Sequence, residues 1–219
     1  MKVGTDGVLL GAWADLSFEP LSILDIGAGT GLVSLMMAQR CGAELIDALE
    51  IDPNAYEQCV ENFEASDWGD RLFCYHAGFD EFVMEMDEPY DLIISNPPFY
   101  AENVSASDKV RDLARANASL PFPLLIGGAA RLLTEAGRLN IIIPFKEEEN
   151  ITGLASQCGL FPSRICRVKG NPEAPVKRSL MEFSFVDKTP VYTSLIIEEE
   201  RHEFTEDYIS LTKDFYLKM

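Results

Sequence analysis

The segment ILDIGAGTGLVSLMMA, residues 23–38, carries the strongest prediction of the fold. Ile23 to Ile26 reads as a short buried strand, three glycines follow at alternating positions, and an almost wholly apolar helix begins at Leu32. A helix that is apolar nearly all round packs firmly against a sheet. Glycines let a backbone approach a ligand where a Cβ would collide, and the helix start presents unpaired N–H groups to a carboxylate or phosphate. The segment therefore predicts a ligand site between a strand and a helix.

Further strands and helices alternate along most of the chain. Strands are predicted at residues 45–51, 71–76, 91–95 and 138–143, and helices at residues 53–63, 124–133, 147–158 and 205–217. Strands that alternate with helices form a parallel, doubly wound sheet.

The last third of the chain has a different pattern. Residues 161–168 and 179–186 both alternate, and a loop containing glycine and proline joins them, which predicts an antiparallel hairpin. Residues 195–197 are a candidate for a short extra strand. We therefore predict an α/β, Rossmann-like doubly wound fold with a seven-stranded mixed sheet and an antiparallel C-terminal hairpin. Residues 1–219 are expected to form a single domain.

A second informative segment, DLIISNPPFY at residues 91–100, combines a strand with a stiff bend. Two successive prolines cannot continue a ladder because neither has an N–H to donate. Ligands sit at the carboxyl ends of parallel strands. The Asn96 side-chain oxygen and the Pro97 carbonyl can accept hydrogen bonds from a flat amine, and Phe99 or Tyr100 can cover its face. An ordinary proline turn that closes a core strand is the alternative interpretation.

Acidic residues follow the second predicted strand. Glu50 lies roughly twenty residues beyond the glycine turn, the spacing at which an acid reaches ribose hydroxyls in nucleoside-binding folds. A solvated strand end is the alternative for Glu50. Asp52 before Pro53 is typical of a helix N-cap, and we favour that role over a ligand contact. After the third strand, the backbone near Gly78 and Phe79 could touch a purine edge.

The composition restricts the partners and the compartment. The 219 residues carry a net charge of −18, so phosphate contacts, which supply most affinity for nucleic acids, would need a local basic patch. No apolar run is long enough to span a bilayer, and the N-terminus lacks an export signal. Five scattered cysteines without a C-x-x-C pair, and two histidines, predict reduced thiols and no metal site. We expect a cytoplasmic monomer without a membrane partner.

Two motifs together resemble one class of enzyme. The pattern D-x-G-x-G-x-G at residues 25–31 is tighter than the G-x-G-x-x-G of dinucleotide binders. It resembles the first motif of the S-adenosylmethionine-dependent methyltransferases, in which the turn cradles an amino acid moiety. N-P-P-F at residues 96–99 resembles the [DNS]-P-P-[YFW] signature of those members that methylate an exocyclic or amide nitrogen.

The resemblance extends over essentially the whole chain. MKVGTDGVLLGAW at residues 1–13, NPPFY at residues 96–100 and the tail FTEDYISLTKDFYLKM resemble the bacterial tRNA1(Val) adenine-37 N6-methyltransferase family. Members of that family usually carry a further segment before the first of these stretches. The resemblance implies an enzyme that uses S-adenosyl-L-methionine to methylate N6 of adenine 37 in the anticodon loop of tRNA1(Val).

Three sets of candidate site residues follow from these patterns together with the resemblance. The set that would hold and orient the target base is Asn96, Pro97, Pro98, Phe99 and Tyr100. The set that would bind the cofactor is Thr5, Asp6, Asp25, Gly27, Ala28, Gly29, Thr30, Gly31, Glu50, Ile51, Gly78, Phe79 and Asn96. The basic residues that would contact RNA are Lys109, Arg111 and Arg115 near the site, and Arg164, Arg167, Lys169, Lys177 and Arg178 around the terminal hairpin. A solvated hairpin is the alternative for the second basic group.

Other substrates stay open on the residues alone. The same N-P-P-F turn could serve a glutamine side-chain amide, guanine N2 in ribosomal RNA or adenine in DNA. A scaffold that binds the cofactor without catalysis belongs to a different functional class. The N-terminal stretch and the tail favour tRNA over the other substrates, by resemblance only. The intact glycine turn, Glu50 and N-P-P-F argue against a scaffold whose site has decayed.

Overall fold

The computed structural model describes residues 4–98 and 120–217. Its helices are α1 (Thr5–Trp13), α2 (Leu32–Arg40), α3 (Pro53–Glu64), α4 (Phe79–Glu85), α5 (Phe122–Leu132), α6 (Glu148–Gln157) and α7 (Glu206–Thr212). Its strands are β1 (Ser22–Ile26), β2 (Leu45–Glu50), β3 (Leu72–His76), β4 (Tyr90–Ser95), β5 (Leu133–Pro144), β6 (Phe161–Lys169), β7 (Val176–Ser184), β8 (Val191–Ile196), β9 (Glu198–Glu200) and β10 (Glu203–Phe204). Short 3-10 turns follow β5 at Phe145–Glu147 and α7 at Lys213–Phe215.

Eight strands form one mixed sheet in the order β3-β2-β1-β4-β5-β7-β6-β8. Strands β1 to β5 are parallel, and β7 runs antiparallel to both of its neighbours, β5 and β6. Strand β8 is parallel to β6, while β9 and β10 form a separate antiparallel pair. The Rossmann-like, doubly wound fold with an antiparallel C-terminal hairpin is confirmed. The predicted number of seven strands was wrong, because the main sheet has eight.

The additional strand, β8, lies at the sheet edge and is only weakly marked in the sequence. It begins at Val191, whereas the sequence offered only residues 195–197 as a candidate. Val191 and Tyr192 are 60% and 56% exposed, so the strand lacks the alternating burial by which strands are recognised. Helix α4 was also missed, because it has only seven residues and directly follows a glycine.

Helices cover both faces of the sheet. One face carries α1, α2, α3 and α7, with side chains such as Leu9, Met37 and Phe63 in the core. The other face carries α4, α5 and α6, with side chains such as Phe82 and Ile126. Each fully buried aliphatic or aromatic side chain contributes about 1.5–3 kcal/mol, so the sheet is a rigid support for the loops at its ends.

The strand order reverses between β1 and β4, and this is where open α/β sheets bind ligands. Ile26, the last residue of β1, is paired with Ser95, the last residue of β4. The Ser95 hydroxyl donates a hydrogen bond to the Ile26 carbonyl oxygen at 2.8 Å. The glycine turn after β1 and the proline bend after β4 therefore begin side by side.

Candidate active site

The glycine turn adopts the left-handed backbone that its sequence requires. Gly27, Gly29 and Gly31 have φ angles of 73°, 60° and 79°. Residues with a Cβ are strained in this region, which explains the three alternating glycines. The N–H groups of Gly27 and Ala28 both donate to the Leu49 carbonyl oxygen at 2.9 Å, so the turn is tied to the end of β2.

Glu50 completes this connection from the end of β2. One carboxylate oxygen accepts the Gly29 N–H at 2.7 Å and the other accepts the Asp52 N–H at 2.8 Å. A carboxylate offers about four lone-pair positions, so two remain for hydroxyl donors. Glu50 is 8% exposed and lies at the turn, as a ribose contact requires. The contact between Glu50 and the ribose hydroxyls stays a prediction.

Helix α3 braces the turn from the β2 side. The Asp52 side chain accepts the N–H groups of Asn54 and Ala55 at 3.0 and 2.9 Å, which confirms its predicted role as an N-cap. Further along the helix, the Asn62 side-chain amide donates to the Thr30 carbonyl oxygen at 2.8 Å. The backbone of the turn is thus held by hydrogen bonds with strand β2 and helix α3.

Asp25 lies beneath the turn and positions it. Its carboxyl is 1% exposed and accepts both the N–H and the hydroxyl of Ser34, at 3.1 and 2.7 Å, near the start of α2. Burial raises the pKa of this carboxyl from 3.8 to about 7. Because the group is enclosed, we assign it to support of the turn rather than to direct contact with the cofactor.

The raised pKa of Asp25 predicts a pH dependence of stability. The folded protein keeps a proton that the unfolded chain releases near pH 3.8. The contribution of this bound proton to the free energy of unfolding is fully present below pH 3.8 and is lost as the pH rises through about 7. At 1.36 kcal/mol per pKa unit, the loss amounts to as much as about 4 kcal/mol. Asp25→Asn keeps an oxygen that accepts from Ser34 and should remove this component. Denaturant unfolding of both proteins between pH 4 and 8 measures it, and equal pH profiles would contradict the assignment.

The proline bend presents its amide next to the start of α1. Asn96 is partly buried, Pro97 is buried and Pro98 is exposed, whereas Phe99 and Tyr100 lie outside the described residues. A Cβ added to Gly7 would lie 3.9 Å from the Asn96 side-chain nitrogen and 3.4 Å from the Leu32 side chain. The first turn of α1 is therefore packed against both the proline bend and the helix that follows the glycine turn. Thr5 and Asp6, predicted cofactor residues, lie in that first turn.

An ion pair joins the start of α1 to the hairpin. Asp6 accepts a hydrogen bond from Arg178 Nε at 2.8 Å, although the two residues are 172 positions apart. Arg178 is in register with Pro144 at the carboxyl end of β5. No local spacing could have predicted this pair. Arg178, predicted as an RNA contact, is thus also engaged with a residue of the predicted cofactor set.

The remaining predicted cofactor residues follow β2 and β3. Ile51 is 49% exposed, and its carbonyl oxygen lies 3.0 Å from Nε2 of His76, whose ring stacks on Tyr56 at 5.1 Å. Gly78 precedes α4. The Phe79 side chain is only 6% exposed and contacts α5, so only its backbone is available to a ligand at this edge.

The predicted basic residues are divided between two regions. Strand β6 runs parallel to β5, so the loop between Lys169 and Val176 projects from the carboxyl edge that carries the glycine turn and the proline bend. Lys169, Lys177 and Arg178 lie at this loop, and Arg167 lies two residues before it. Lys109, Arg111 and Arg115 lie outside the described residues.

Arg164 is placed apart from that group. Its guanidinium lies 3.3 Å from Glu182 and 4.3 Å from the centre of the Trp13 ring. Trp13 ends α1, about 12 Å along the helix axis from Thr5 at 1.5 Å per residue. We therefore leave Arg164 out of the RNA-contacting set proposed below.

Within residues 4–98 and 120–217, no three His, Cys, Asp or Glu side chains come together as a metal site. In the same part of the chain, no helix has the length and apolar character needed to cross a bilayer.

Comparisons with known proteins agree with this geometry. Residues 14–152 match the family described as methyltransferase small domain. The chain is 60% identical to a tRNA1(Val) (adenine(37)-N6)-methyltransferase of Christiangramia forsetii, over 100% of this chain and 92% of that protein. It is 43% identical to a protein of the same name from Bacteroides fragilis, over 100% and 92% of the two chains.

Solved structures resemble this chain in fold. A predicted O-methyltransferase from Agrobacterium tumefaciens superposes with a TM-score of 0.70 at 21% identity, covering 95% of this chain and 96% of that one. A putative RNA methyltransferase from Pyrococcus horikoshii superposes with a TM-score of 0.57 at 19% identity, covering 82% and 81%. At these identities the likeness supports the fold alone.

Proposed function

This chain belongs to the tRNA1(Val) (adenine(37)-N6)-methyltransferase family, and from that premise we propose that it transfers the methyl group of S-adenosyl-L-methionine to N6 of adenine 37 in tRNA1(Val). One observation of the fold carries the proposal. The glycine turn and the proline bend begin on paired residues of adjacent strands, joined by the 2.8 Å hydrogen bond from Ser95 to Ile26. A cofactor on the first and an amine on the second would therefore meet.

The residues at the turn fit the proposed cofactor. A Cβ added at Gly27 would have no heavy atom within 4 Å, so the turn borders open space. We assign the amino acid moiety to residues 27–31, the ribose hydroxyls to Glu50 and the base to Ile51 and the backbone at Gly78. When bound, S-adenosyl-L-methionine supplies an electrophilic methyl group on a sulfonium centre.

The protein's part in the transfer is to hold the nitrogen in line. The lone pair of adenine N6 is delocalised into the ring. The Asn96 side-chain oxygen and the Pro97 carbonyl oxygen each accept a hydrogen bond from one N–H of the N6 amine. These two hydrogen bonds fix the nitrogen and let its lone pair turn toward the methyl group. Neither acceptor is a general base, so the methylated nitrogen loses its extra proton to solvent after the transfer. Alignment at near-attack distance supplies up to about 7–11 kcal/mol in well-oriented intramolecular reactions.

The target adenine must leave its stack to reach this edge. Enzymes that modify a base extrude it or act on an unpaired one, and they hold it by stacking on aromatic rings. Phe99 or Tyr100 would supply that ring, and such stacking is worth roughly 1–3 kcal/mol per base.

We further propose that the protein acts in the cytoplasm as a monomer. Light scattering would test the oligomeric state.

The hairpin loop is proposed to contact the RNA backbone. Lys177 is exposed beside the carboxyl edge, whereas Lys188 is exposed between β7 and β8 at the opposite edge. Lys177→Glu should raise the Michaelis constant for tRNA. It should also lower the slope of the logarithm of that constant against the logarithm of the salt concentration by about 0.7–1, the value expected for one lost phosphate contact. Lys188→Glu, the same charge change elsewhere, should leave both near wild type. Equal effects of the two variants would remove the loop from the RNA surface.

Methyl transfer to mixed substrates tests the proposed function itself. Labelled S-adenosyl-L-methionine is incubated with the protein and with tRNA, ribosomal RNA, DNA or total protein. We expect label only in tRNA, recovered as N6-methyladenine at position 37 of tRNA1(Val). Label in guanine of ribosomal RNA, in DNA adenine or in a glutamine amide would replace the proposed substrate. Cofactor binding without labelling of any pool would indicate a scaffold.

A further inference from the structure

Arg167 lies between two exposed aromatic rings. Its guanidinium carbon is 5.3 Å from the centre of the Phe145 ring and 5.2 Å from the centre of the Tyr192 ring. The two aromatic residues are 38% and 56% exposed. We name Phe145, Arg167 and Tyr192 the aromatic–arginine surface. Aromatic rings this exposed can stack on a further flat group.

The arginine of this surface is fixed in orientation. Its Nη2 and Nε donate to the two carboxylate oxygens of Glu148 at 2.6 and 3.3 Å. Glu148 is only 8% exposed and also accepts the Ser179 hydroxyl. Two hydrogen bonds to one carboxylate hold the guanidinium plane and compensate much of its charge. Arg167 is therefore a fixed planar group between the two rings more than a mobile positive charge.

The aromatic–arginine surface stands at the level of the proline bend. Phe145 directly follows the carboxyl end of β5, and Tyr192 is in register with Ser95 across the intervening strands β6, β7 and β5. At about 4.8 Å per strand, β6 and β8 lie roughly 14–19 Å from β4. Lys169 and Lys177 lie at the hairpin loop on the same edge. A polynucleotide that reaches Asn96 along this edge passes the surface.

We propose that the aromatic–arginine surface stacks on an unpaired tRNA base that flanks the methylated adenine. This inference rests on the proposed function. Every base has a π-face, so stacking holds a single strand without reading its sequence. A chain with a net charge of −18 gains little from long-range attraction to RNA, and stacking supplies affinity that does not depend on phosphate contacts.

Steady-state kinetics at several salt concentrations separate base stacking from phosphate contact. The Michaelis constants for tRNA1(Val) and for S-adenosyl-L-methionine are measured at several salt concentrations for wild type, Tyr192→Leu, Tyr192→Phe and Val191→Ser. Val191 is the matched control, because it is the neighbouring exposed apolar residue of β8. Thermal unfolding of each variant confirms that the fold is retained.

We expect Tyr192→Leu to raise the Michaelis constant for tRNA roughly 5- to 150-fold, the range that base stacking on one aromatic side chain supplies. Its salt slope and its Michaelis constant for the cofactor should equal those of wild type. Tyr192→Phe keeps the ring and should behave like wild type, as should Val191→Ser. Phe145→Leu, which removes the second ring, should act in the same direction as Tyr192→Leu.

Three outcomes would overturn the proposal. Tyr192→Leu could match Val191→Ser, which would show that no base stacks there. Its salt slope could fall instead, which would indicate a phosphate contact. Tyr192→Phe could be as impaired as Tyr192→Leu, which would assign the effect to the hydroxyl. Failure of the proposed function is distinguishable, because wild type itself would then leave tRNA unmethylated.

Discussion

Asn96→Ala is expected to lower kcat for methyl transfer by about 10²–10³, the cost of removing one preorganised hydrogen-bonding group from an active site. The affinity for S-adenosyl-L-methionine should stay within a few-fold of wild type, because the glycine turn and Glu50 are left intact. The reason is geometric. Without the amide oxygen, only the Pro97 carbonyl holds the target nitrogen, and its lone pair is no longer fixed toward the methyl group.

Asn96→Asp is the matched variant for this prediction. It keeps an oxygen acceptor at the same place, and the signature that residues 96–99 resemble admits aspartate there. We therefore expect it to retain more activity than Asn96→Ala. Single-turnover rates with saturating tRNA, together with calorimetric cofactor binding, separate chemistry from binding. Unchanged turnover in Asn96→Ala would remove Asn96 from the mechanism.

Gly31→Ala and Gly27→Ala should fail in different ways, although both glycines have φ angles above 70°. A Cβ at Gly31 would lie 2.5 Å from the Phe63 ring and 2.8 Å from the Cys59 sulfur, in a buried position. Left-handed strain of about 1–2 kcal/mol adds to an overpacking cost of about 1–3 kcal/mol. We expect Gly31→Ala to lose about 2–5 kcal/mol of unfolding free energy.

Gly27→Ala carries the same backbone strain without the collision. A Cβ there meets nothing within 4 Å, so the stability loss should be limited to about 1–2 kcal/mol. That Cβ would instead occupy space that we assign to the amino acid moiety of the cofactor. We expect cofactor affinity to fall at least about tenfold, that is, by about 1.4 kcal/mol. Urea unfolding without cofactor and calorimetric titration measure the two effects, and equal destabilisation by the two substitutions would contradict the account.

The parts of the fold that the sequence predicted are those decided by local chemistry. Residues 23–38 specify strand, turn and helix within one short segment, and Asp52 before Pro53 specifies a cap over three residues. Asp25 was recognised as part of the motif, but its enclosure depends on packing against α2. The distinction between touching a ligand and supporting the turn therefore required the three-dimensional arrangement.

Features formed between distant segments could not be predicted in this way. The Asp6–Arg178 pair joins residues 172 positions apart. Arg164 looked like a member of the basic hairpin group, yet it packs on the Trp13 ring at the far end of α1. Tyr192 gave no signal, because an exposed edge strand has no alternating pattern. In each case the relevant neighbour is set by how the strands and helices pack and not by spacing along the chain.

The net charge of −18 confines any RNA contact to a narrow region of the surface. Residues 198–200 are all glutamate, and the Glu198 N–H donates to the Gly170 carbonyl oxygen at 2.9 Å beside the hairpin loop. Phosphates passing there would be repelled, whereas Lys169 and Lys177 on the loop attract them. A combination of few phosphate contacts with base stacking is what such a surface can provide.

A structure with S-adenosyl-L-methionine, or a non-transferable analogue of it, and an adenine nucleotide tests the central claim most directly. The account predicts the amino acid moiety over residues 27–31 and the adenine N6 within hydrogen-bonding distance of the Asn96 side-chain oxygen and the Pro97 carbonyl oxygen. The nitrogen should then lie about 3–3.5 Å from the position of the transferable methyl carbon. An Asn96 side chain that points away from the cofactor, with adenine held by other residues, would contradict it.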